Sequence, residues 1–281
     1  MQSFTTPGPT ALRVRFAGGQ LHVQAEDRHT TEIDVAPGDP SNVADVEHAA
    51  ATVVEQRGNV IVVVAPGTKR WFGRTPKLDV RIAAPSHSDL TVDVESADVG
   101  MSGSLGATEI NSASGDVRFE AVSSLTVKSA SGDVVGERVG ADGSAKSASG
   151  DIRLGELGGG GDLTTASGDI NVAAIGGDVQ CRTASGDVSL AAIGGSATAK
   201  SASGDIRLGS VRGGTVEIDS ASGDISIGVA DGTAAWLDVH SLSGDARSDL
   251  EGAEAPEGDA PTVTIRARTL SGDVAIRRAA R

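Results

Sequence analysis

Tyrosine is absent from this 281-residue chain, and the other aromatics are few, 4 Phe and 2 Trp. Conventional globular cores draw much of their buried area from aromatic rings, so an aromatic content of 2% argues against one. The single cysteine, Cys181, excludes a disulfide framework and any multi-cysteine zinc site. No run approaches the roughly 18 apolar residues of a membrane-spanning helix, so no membrane insertion is expected. Positive charge is scarce: 24 Lys and Arg stand against 38 Asp and Glu, a formal net charge of −14. That balance is wrong for a nucleic-acid partner or for a protein held on anionic lipid. The opening Met-Gln-Ser-Phe-Thr-Thr-Pro-Gly-Pro has neither the basic nor the apolar region of an export signal, so a cytoplasmic location is the expectation.

What the chain has in abundance is glycine, 38 residues, much of it in a repeat. Ser-Gly-Asp occurs nine times, starting at Ser114, Ser131, Ser149, Ser167, Ser185, Ser203, Ser222, Ser243 and Ser271, with a degenerate copy at Ser96-Ala97-Asp98. The spacing is 17 to 19 residues through Ser222, then lengthens to 21 and 28. With each motif serine as position 0, position −4 is mostly aliphatic or small (Ile110, Val127, Ala145, Leu163, Cys181, Ala199, Ile218, Val239, Ala267) and position −2 is always Ser or Thr. Position −3 between them is polar or charged, for example Lys146, Arg182, Lys200 and His240. After the motif, Val or Ile dominates at +3 and large aliphatics at +5, with Arg118, Arg153, Arg207 or Arg247 between them in four copies. Both segments alternate with a period of two, as half-buried strands do.

Gly-Asp forms one corner between these strands, since Gly tolerates positive φ and Asp bonds local backbone N–H groups. Gly-Gly pairs such as Gly176-Gly177 and Gly194-Gly195 form the other. A unit of about 18 residues cannot bury its own apolar face and must stack on its neighbours. The predicted fold is all-β: a parallel β-helix, or β-solenoid, of about ten 18-residue coils spaced about 4.8 Å apart. A left-handed hexapeptide helix needs an aliphatic at every sixth position, whereas here they cluster at −6, −4, +3, +5 and +8. A right-handed or flattened solenoid is therefore expected.

Residues 1–95 lack the motif but are strand-rich, and they read as an N-terminal capping region continuous with the 96–281 repeat solenoid. Residues 42–51 suggest a short helix or loop. Aromatics and cations interleave only at 68–74, where Arg70, Trp71, Phe72 and Arg74 form either a partner-binding loop or a lid on the core. An acidic insertion spans 250–261 and reads as a solvated loop. The chain closes on a strand, Asp273–Arg281, whose blunting devices are Arg277, Arg278 and Arg281. This weakly capped C-terminal coil is the candidate site of self-association.

The repeated aspartates are the conspicuous chemical feature, and Asp133, Asp151, Asp169, Asp187 and Asp205 are the candidate calcium ladder. Calcium takes six to eight oxygens, and calcium-binding coils supply them through a denser Gly-Gly-x-Gly-x-Asp nonapeptide that is absent here. The alternative is that each Asp closes its own turn beside a Lys or Arg. No catalytic residues and no cofactor are predicted. A glycosidase or polysaccharide lyase sets its acid and base in distinct environments, while this repeat stays symmetric through its middle coils. His240 replaces an outward cation, and Cys181 occupies an inward aliphatic position.

The Ser-Ala-Ser-Gly-Asp-[Val/Ile] units, the strand-rich N-terminal portion and the late Leu-Ser-Gly-Asp coils resemble a bacterial domain-of-unknown-function family of β-strand-repeat proteins known as "putative adhesins". The resemblance implies a β-helical fold and a structural or interaction role, and it carries over no catalytic residues. The functional expectation is a non-enzymatic, adhesin-like interaction or scaffold module with an unidentified protein or polysaccharide partner. Two alternatives stay open: an intracellular scaffold that polymerises end to end, and a β-helix that binds or cleaves polysaccharide.

Overall fold

A computed structural model describes residues 1–67, 74–250 and 261–279. They fall into two compact units, Met1–Gly140 and Ala141–Arg281.

The first unit comprises β1 (Gln2–Thr5), β2 (Ala11–Glu26), β3 (Thr30–Pro37), α1 (Val43–Ala50), β4 (Val53–Arg57), β5 (Val60–Val64), β6 (Lys77–Pro85), β7 (Asp89–Ser114), β8 (Val117–Ser131) and β9 (Val134–Val139). Strand β2 shows how alternation makes a coil. Leu12, Val14 and Phe16 point inward, then Leu21, Val23 and Ala25, while the intervening Arg13, Arg15, His22 and Gln24 are exposed. The corner between the halves needs Gly19, which has φ 122° and lies where a Cβ would sit 1.9 Å from the Leu78 carbonyl oxygen. Strands β5 and β6 pair in parallel with the two halves of β2 on one side, and β7 pairs with it on the other. The first coil in sequence is therefore the second in space.

Beyond β5 and β6 the parallel order stops. Strand β4 runs antiparallel to β5, β3 runs antiparallel to β6, and β1 runs antiparallel to β3. The helix expected near residues 42–51 is α1, capped by Asn42 Oδ1, which accepts from the Ala44 and Asp45 N–H groups. Buried Asp45 accepts from the N–H groups of Asp39 and Lys77, which pins the helix to the start of β6. The division expected at 95/96 falls inside β7, which continues without interruption into the repeat.

The second unit begins with β10 (Gly143–Lys146), β11 (Ile152–Leu157), β12 (Gly161–Thr164), β13 (Ile170–Ile175), β14 (Val179–Ser185), β15 (Val188–Ile193) and β16 (Ala197–Ser203). It continues with β17 (Ile206–Val211), β18 (Gly214–Ser222), β19 (Ile225–Val229), β20 (Ala234–Ser243), β21 (Ala246–Ser248), β22 (Thr262–Ser271) and β23 (Val274–Arg278). All of its strand pairs are parallel, and up to β18 like repeat positions stack on like. One column runs Ala145, Leu163, Cys181, Ala199, Ile218, and another runs Ile152, Ile170, Val188, Ile206, Ile225. Every one of these residues is at most 1% exposed. Each fully buried aliphatic contributes about 1.5–3 kcal/mol of transfer free energy, which opposes the entropy lost in ordering the coil. The fold is thus an all-β parallel β-helix of 18-residue coils, as the repeat predicts.

The end of this stack departs from chain order. Strand β18 pairs next with β22, and β19 with β23, while β20 and β21 lie outside β22 and β23. The last strand in sequence is therefore interior, with Val274 and Ile276 at most 1% exposed. The expected open end at Asp273–Arg281 moves to β20 and β21. Arg278 is not a blunting charge but a tie, its Nη1 donating to the carbonyls of Ala230 and Thr233 at 3.1 and 2.8 Å. Arg281 and the acidic residues 251–260 lie outside the described residues.

Candidate functional site

The repeated aspartates form a hydrogen-bonded column that crosses coils. Within the second unit the Asp169 N–H donates to Asp151 Oδ1, Asp187 to Asp169, Asp205 to Asp187 and Asp224 to Asp205, at 2.8 to 3.0 Å. The column follows the spatial order at the end of the stack: Asp273 donates to Asp224 and Asp245 to Asp273. In the first unit Asp116 donates to Asp98 and Asp133 to Asp116. The carboxylates of Asp98, Asp116, Asp151, Asp169, Asp187, Asp205, Asp224 and Asp273 thus hold the corner of a neighbouring coil, where the sequence suggests an Asp that closes its own turn. The predicted cation partners are present two residues on, where Arg118, Arg153 and Arg207 each meet the second carboxylate oxygen at 2.6 to 2.8 Å, and Arg247 does the same to Asp245 at 2.5 Å. In the calcium-ladder candidates Asp151, Asp169, Asp187 and Asp205, Oδ1 is already occupied by a backbone donor. Among the described residues, no group of three or more His, Cys, Asp or Glu is arranged to hold a metal ion.

The motif glycines are dictated by the same stacking. A Cβ on Gly186 would lie 2.1 Å from the Gly168 carbonyl oxygen, and one on Gly204 would lie 2.2 Å from that of Gly186, where φ is also +143°. The buried position −2 hydroxyls of Thr165 and Thr183 lie against Gly168 and Gly186. Thr165 Oγ1 donates to the Gly150 carbonyl at 3.2 Å and accepts from the Gly168 N–H at 3.1 Å, and Thr183 Oγ1 donates to the Gly168 carbonyl. The hydroxyls of Ser201 and Ser220 are buried with no hydrogen-bond partner.

A second carboxylate column at the Gly-Gly corner went unread in the sequence. Asp142 Oδ1 accepts the Gly160 N–H, and Asp178 Oδ1 accepts the Ser196 N–H, at 2.8 and 2.7 Å. The signal was available, since Asp follows a glycine-rich corner at the same repeat position in both coils, but the serine motif is the louder one.

The outward face beside the inward columns carries alternating charge. Asp162 lies 3.1 Å from Lys146 and 3.6 Å from Arg182, and Lys200 pairs with Asp219 at 2.9 Å. Cys181 is wholly buried, and burial pushes its thiol from 9.0 up to about 12, with the Asp162 carboxylate adding to the shift. That is a core residue and not an activated nucleophile. His240 is exposed and sits 3.0 Å from Asp238.

Of the candidate loop, Arg70, Trp71 and Phe72 lie outside the described residues. Arg74 is exposed; hydrogen bonds from the Ser41 hydroxyl and N–H hold the Asp39 carboxyl below its ordinary range, and the Arg74 charge adds a smaller contribution. In the first unit, two grooves mix polar and apolar walls: one is lined by Arg15, Phe16, Pro66, Asp93 and Lys128, the other by His22, Gln24, Met101, Arg118 and Glu137. No described helix is long and apolar enough to cross a membrane.

Among solved structures, the chain is similar to a "putative cell adhesion protein" from Clostridium sporogenes ATCC 15579, at 11% identity over 99% of this chain and 98% of that one, with a TM-score of 0.23. It is also similar to a "putative adhesin" from Bacteroides fragilis NCTC 9343 and another from Parabacteroides distasonis ATCC 8503. Both are 13% identical over 98% of this chain and 95% of theirs, with TM-scores of 0.38 and 0.36. No curated protein matches the chain. Residues 10–194 and 177–277 match the model of a single family, so the chain belongs to the Toastrack DUF4097 family.

Proposed function

We propose that this protein is a non-enzymatic, adhesin-like β-solenoid that serves as an interaction or scaffold module. One observation carries the reading. Charged groups that recur from coil to coil in the second unit are committed to joining coils, as the Asp151-to-Asp224 column and the Lys146–Asp162–Arg182 cluster illustrate. A hydrolase acting on glycosides needs two carboxyl groups held in unlike environments, one kept protonated and the other ionised. Carboxylates that repeat one environment every 18 residues offer a regular polar surface instead, and a β-helical face of this kind suits docking of a protein or polysaccharide.

The test combines capture with an activity screen. Triple replacement of Lys146, Arg182 and Lys200 by Glu reverses the charge of the outward face, and exposed pairs of this kind contribute under about 1 kcal/mol each to stability. The expected result is a discrete partner captured by the wild-type protein and lost from the variant, which stays folded with a melting temperature lowered by no more than about 10 °C, since three exposed pairs of under about 1 kcal/mol each are lost. Polysaccharide turnover by the wild-type protein, abolished by Asp187→Asn, would replace this reading with the enzymatic one.

A further inference from the structure

The end of the stack in the second unit is, among the described residues, an uncovered sheet edge. Among the described residues β20 pairs only with β22, and β21 only with β23. Inward positions that are sealed elsewhere are open here. The column Val179, Ala197, Val216, Ile265 is at most 4% exposed, yet Leu237, which caps it, is 40% exposed. On the outer face of the same strand Trp236 is 69% and Leu242 82% exposed, with Leu270 of β22 exposed beside them.

Backbone polarity is settled by the ladder. The Ala234 N–H donates to the Pro261 carbonyl on the β22 side. Alternation then turns the N–H and C=O groups of Ala235, Leu237, Val239 and Ser241 away from β22, toward the open side. Natural sheet edges are blunted by Lys, Pro, bulges or short strands. The sequence Ala-Ala-Trp-Leu-Asp-Val-His-Ser-Leu-Ser, residues 234–243, has none of these devices.

We infer that this edge is a self-association surface, on which β20 pairs antiparallel with β20 of a second copy about a two-fold axis through Val239. That register sets residue 239 − n opposite residue 239 + n of the partner copy. Val239 then faces itself and exchanges both of its free backbone hydrogen bonds, as a hydrogen-bonded antiparallel pair does. Asp238 comes opposite His240, and Trp236 opposite Leu242, each twice by symmetry. Both are non-hydrogen-bonded pairs, where side chains approach most closely. The strand is thus self-complementary in charge and in apolar contact, which singles out a second copy over an arbitrary extended peptide. The axis runs perpendicular to the sheet, so inward residues continue onto inward residues and Leu237 gains the covering layer it lacks. The contact is isologous and closes at two copies. It goes beyond the proposed role, because the coil faces are free to hold a partner whether or not the protein dimerises.

Sedimentation velocity of the full chain over about a thousandfold range of concentration tests it, together with three variants. Val239→Pro deletes an outward N–H without touching a bond to β22. Trp236→Lys/Leu242→Lys places like charges at both ends of the pairing. Asp238→Cys/His240→Cys places thiols on facing strands at a separation within disulfide reach, while i and i+2 positions of one strand are too far apart to close. The expected result is a concentration-dependent dimer whose dissociation constant rises at least about tenfold in each of the first two variants, with a melting temperature unchanged when measured at concentrations where the wild type is monomeric. The cysteine variant is expected to become a covalent dimer under mild oxidation. A wild-type protein that stays monomeric throughout, a dimer indifferent to Val239→Pro and to the lysine variant, or open-ended polymers would each overturn the inference.

Discussion

Replacing Asp187 separates the two roles available to the carboxylate column. Its Oδ1 accepts the Asp205 N–H at 2.8 Å, its own N–H donates to Asp169 at 2.9 Å, and the residue two positions on is Ser189, so no arginine pair interferes. A hydrogen bond to a charged group contributes about 1.5–3 kcal/mol, and exposure sets this one near the lower limit, about 1.5 kcal/mol. Asp187→Ala forfeits that contribution. Asp187→Asn keeps an oxygen in place, and its loss of charge assistance is offset by relief of repulsion from Asp169 and Asp205. The net change for Asn is therefore expected within about 0.5 kcal/mol. For a unit of this size each kcal/mol moves the melting temperature by about 2–4 °C, so Ala should lower it by about 3–6 °C and Asn by under about 2 °C. Stacked repeats can open locally, so amide exchange at Asp205 is the sharper readout: about tenfold faster in Ala and near wild type in Asn. Calcium chelation should leave the wild-type melt unchanged. If Asn proves as damaging as Ala, or chelation lowers the melting temperature by several degrees, the column works through its charge and the reasoning fails.

Three further outcomes follow from the same packing. Gly204→Ala forces a methyl to within 2.2 Å of the Gly186 carbonyl oxygen at positive φ and should cost about 3 kcal/mol or more in urea melts. Gly8→Ala, which meets nothing within 4 Å, should stay within about 0.5 kcal/mol of wild type in the same experiment. Thr165→Val strands the Gly168 N–H and should destabilise by about 1–3 kcal/mol, whereas Ser201→Ala removes a hydroxyl with no partner and should be neutral or stabilising, as differential scanning calorimetry would reveal. The Cys181 thiol is raised from 9.0 to about 12 by burial, so below pH 9 both states keep the proton, and above it only the unfolded chain releases it. Stability should then fall with rising pH by up to about 1.4 kcal/mol per pH unit, a slope that Cys181→Ala removes when the two proteins are compared by urea melts from about pH 8 to about pH 10.

Much of the architecture was legible because a solenoid writes its register into its sequence. The inward positions −4, +3 and +5 could be read directly, and Cys181 takes the inward place assigned to it. The aspartate column was half legible. The Arg two residues on is visible in the sequence, but the acceptor role is not, because its donor lies a full coil away and both partners are the same residue type. The second column, at Asp142 and Asp178, was hidden by a corner that tolerates more variation. The exposed pair Trp236 and Leu242 carried a faint signal, a tryptophan at an outward repeat position, which gains meaning only once β20 is known to be an edge.

The sequence alone determined the coil: its length, its two corners, which residues face inward, and the need for glycine where successive carbonyls approach. The tertiary structure alone decided the order in which the coils stack at the ends. Residues 234–248 and 262–278 carry the same motif in the same register, so local pattern cannot rank them. Packing ranks them by what they bury. Val263, Ile265, Ala267, Val274 and Ile276 fill the interior layer at no more than 1% exposure, leaving the edge to a coil whose second strand offers only Ala246 and Ser248. The stronger apolar coil displaces the weaker one outward because burial is worth more to it, and the open edge goes to the coil with less to lose.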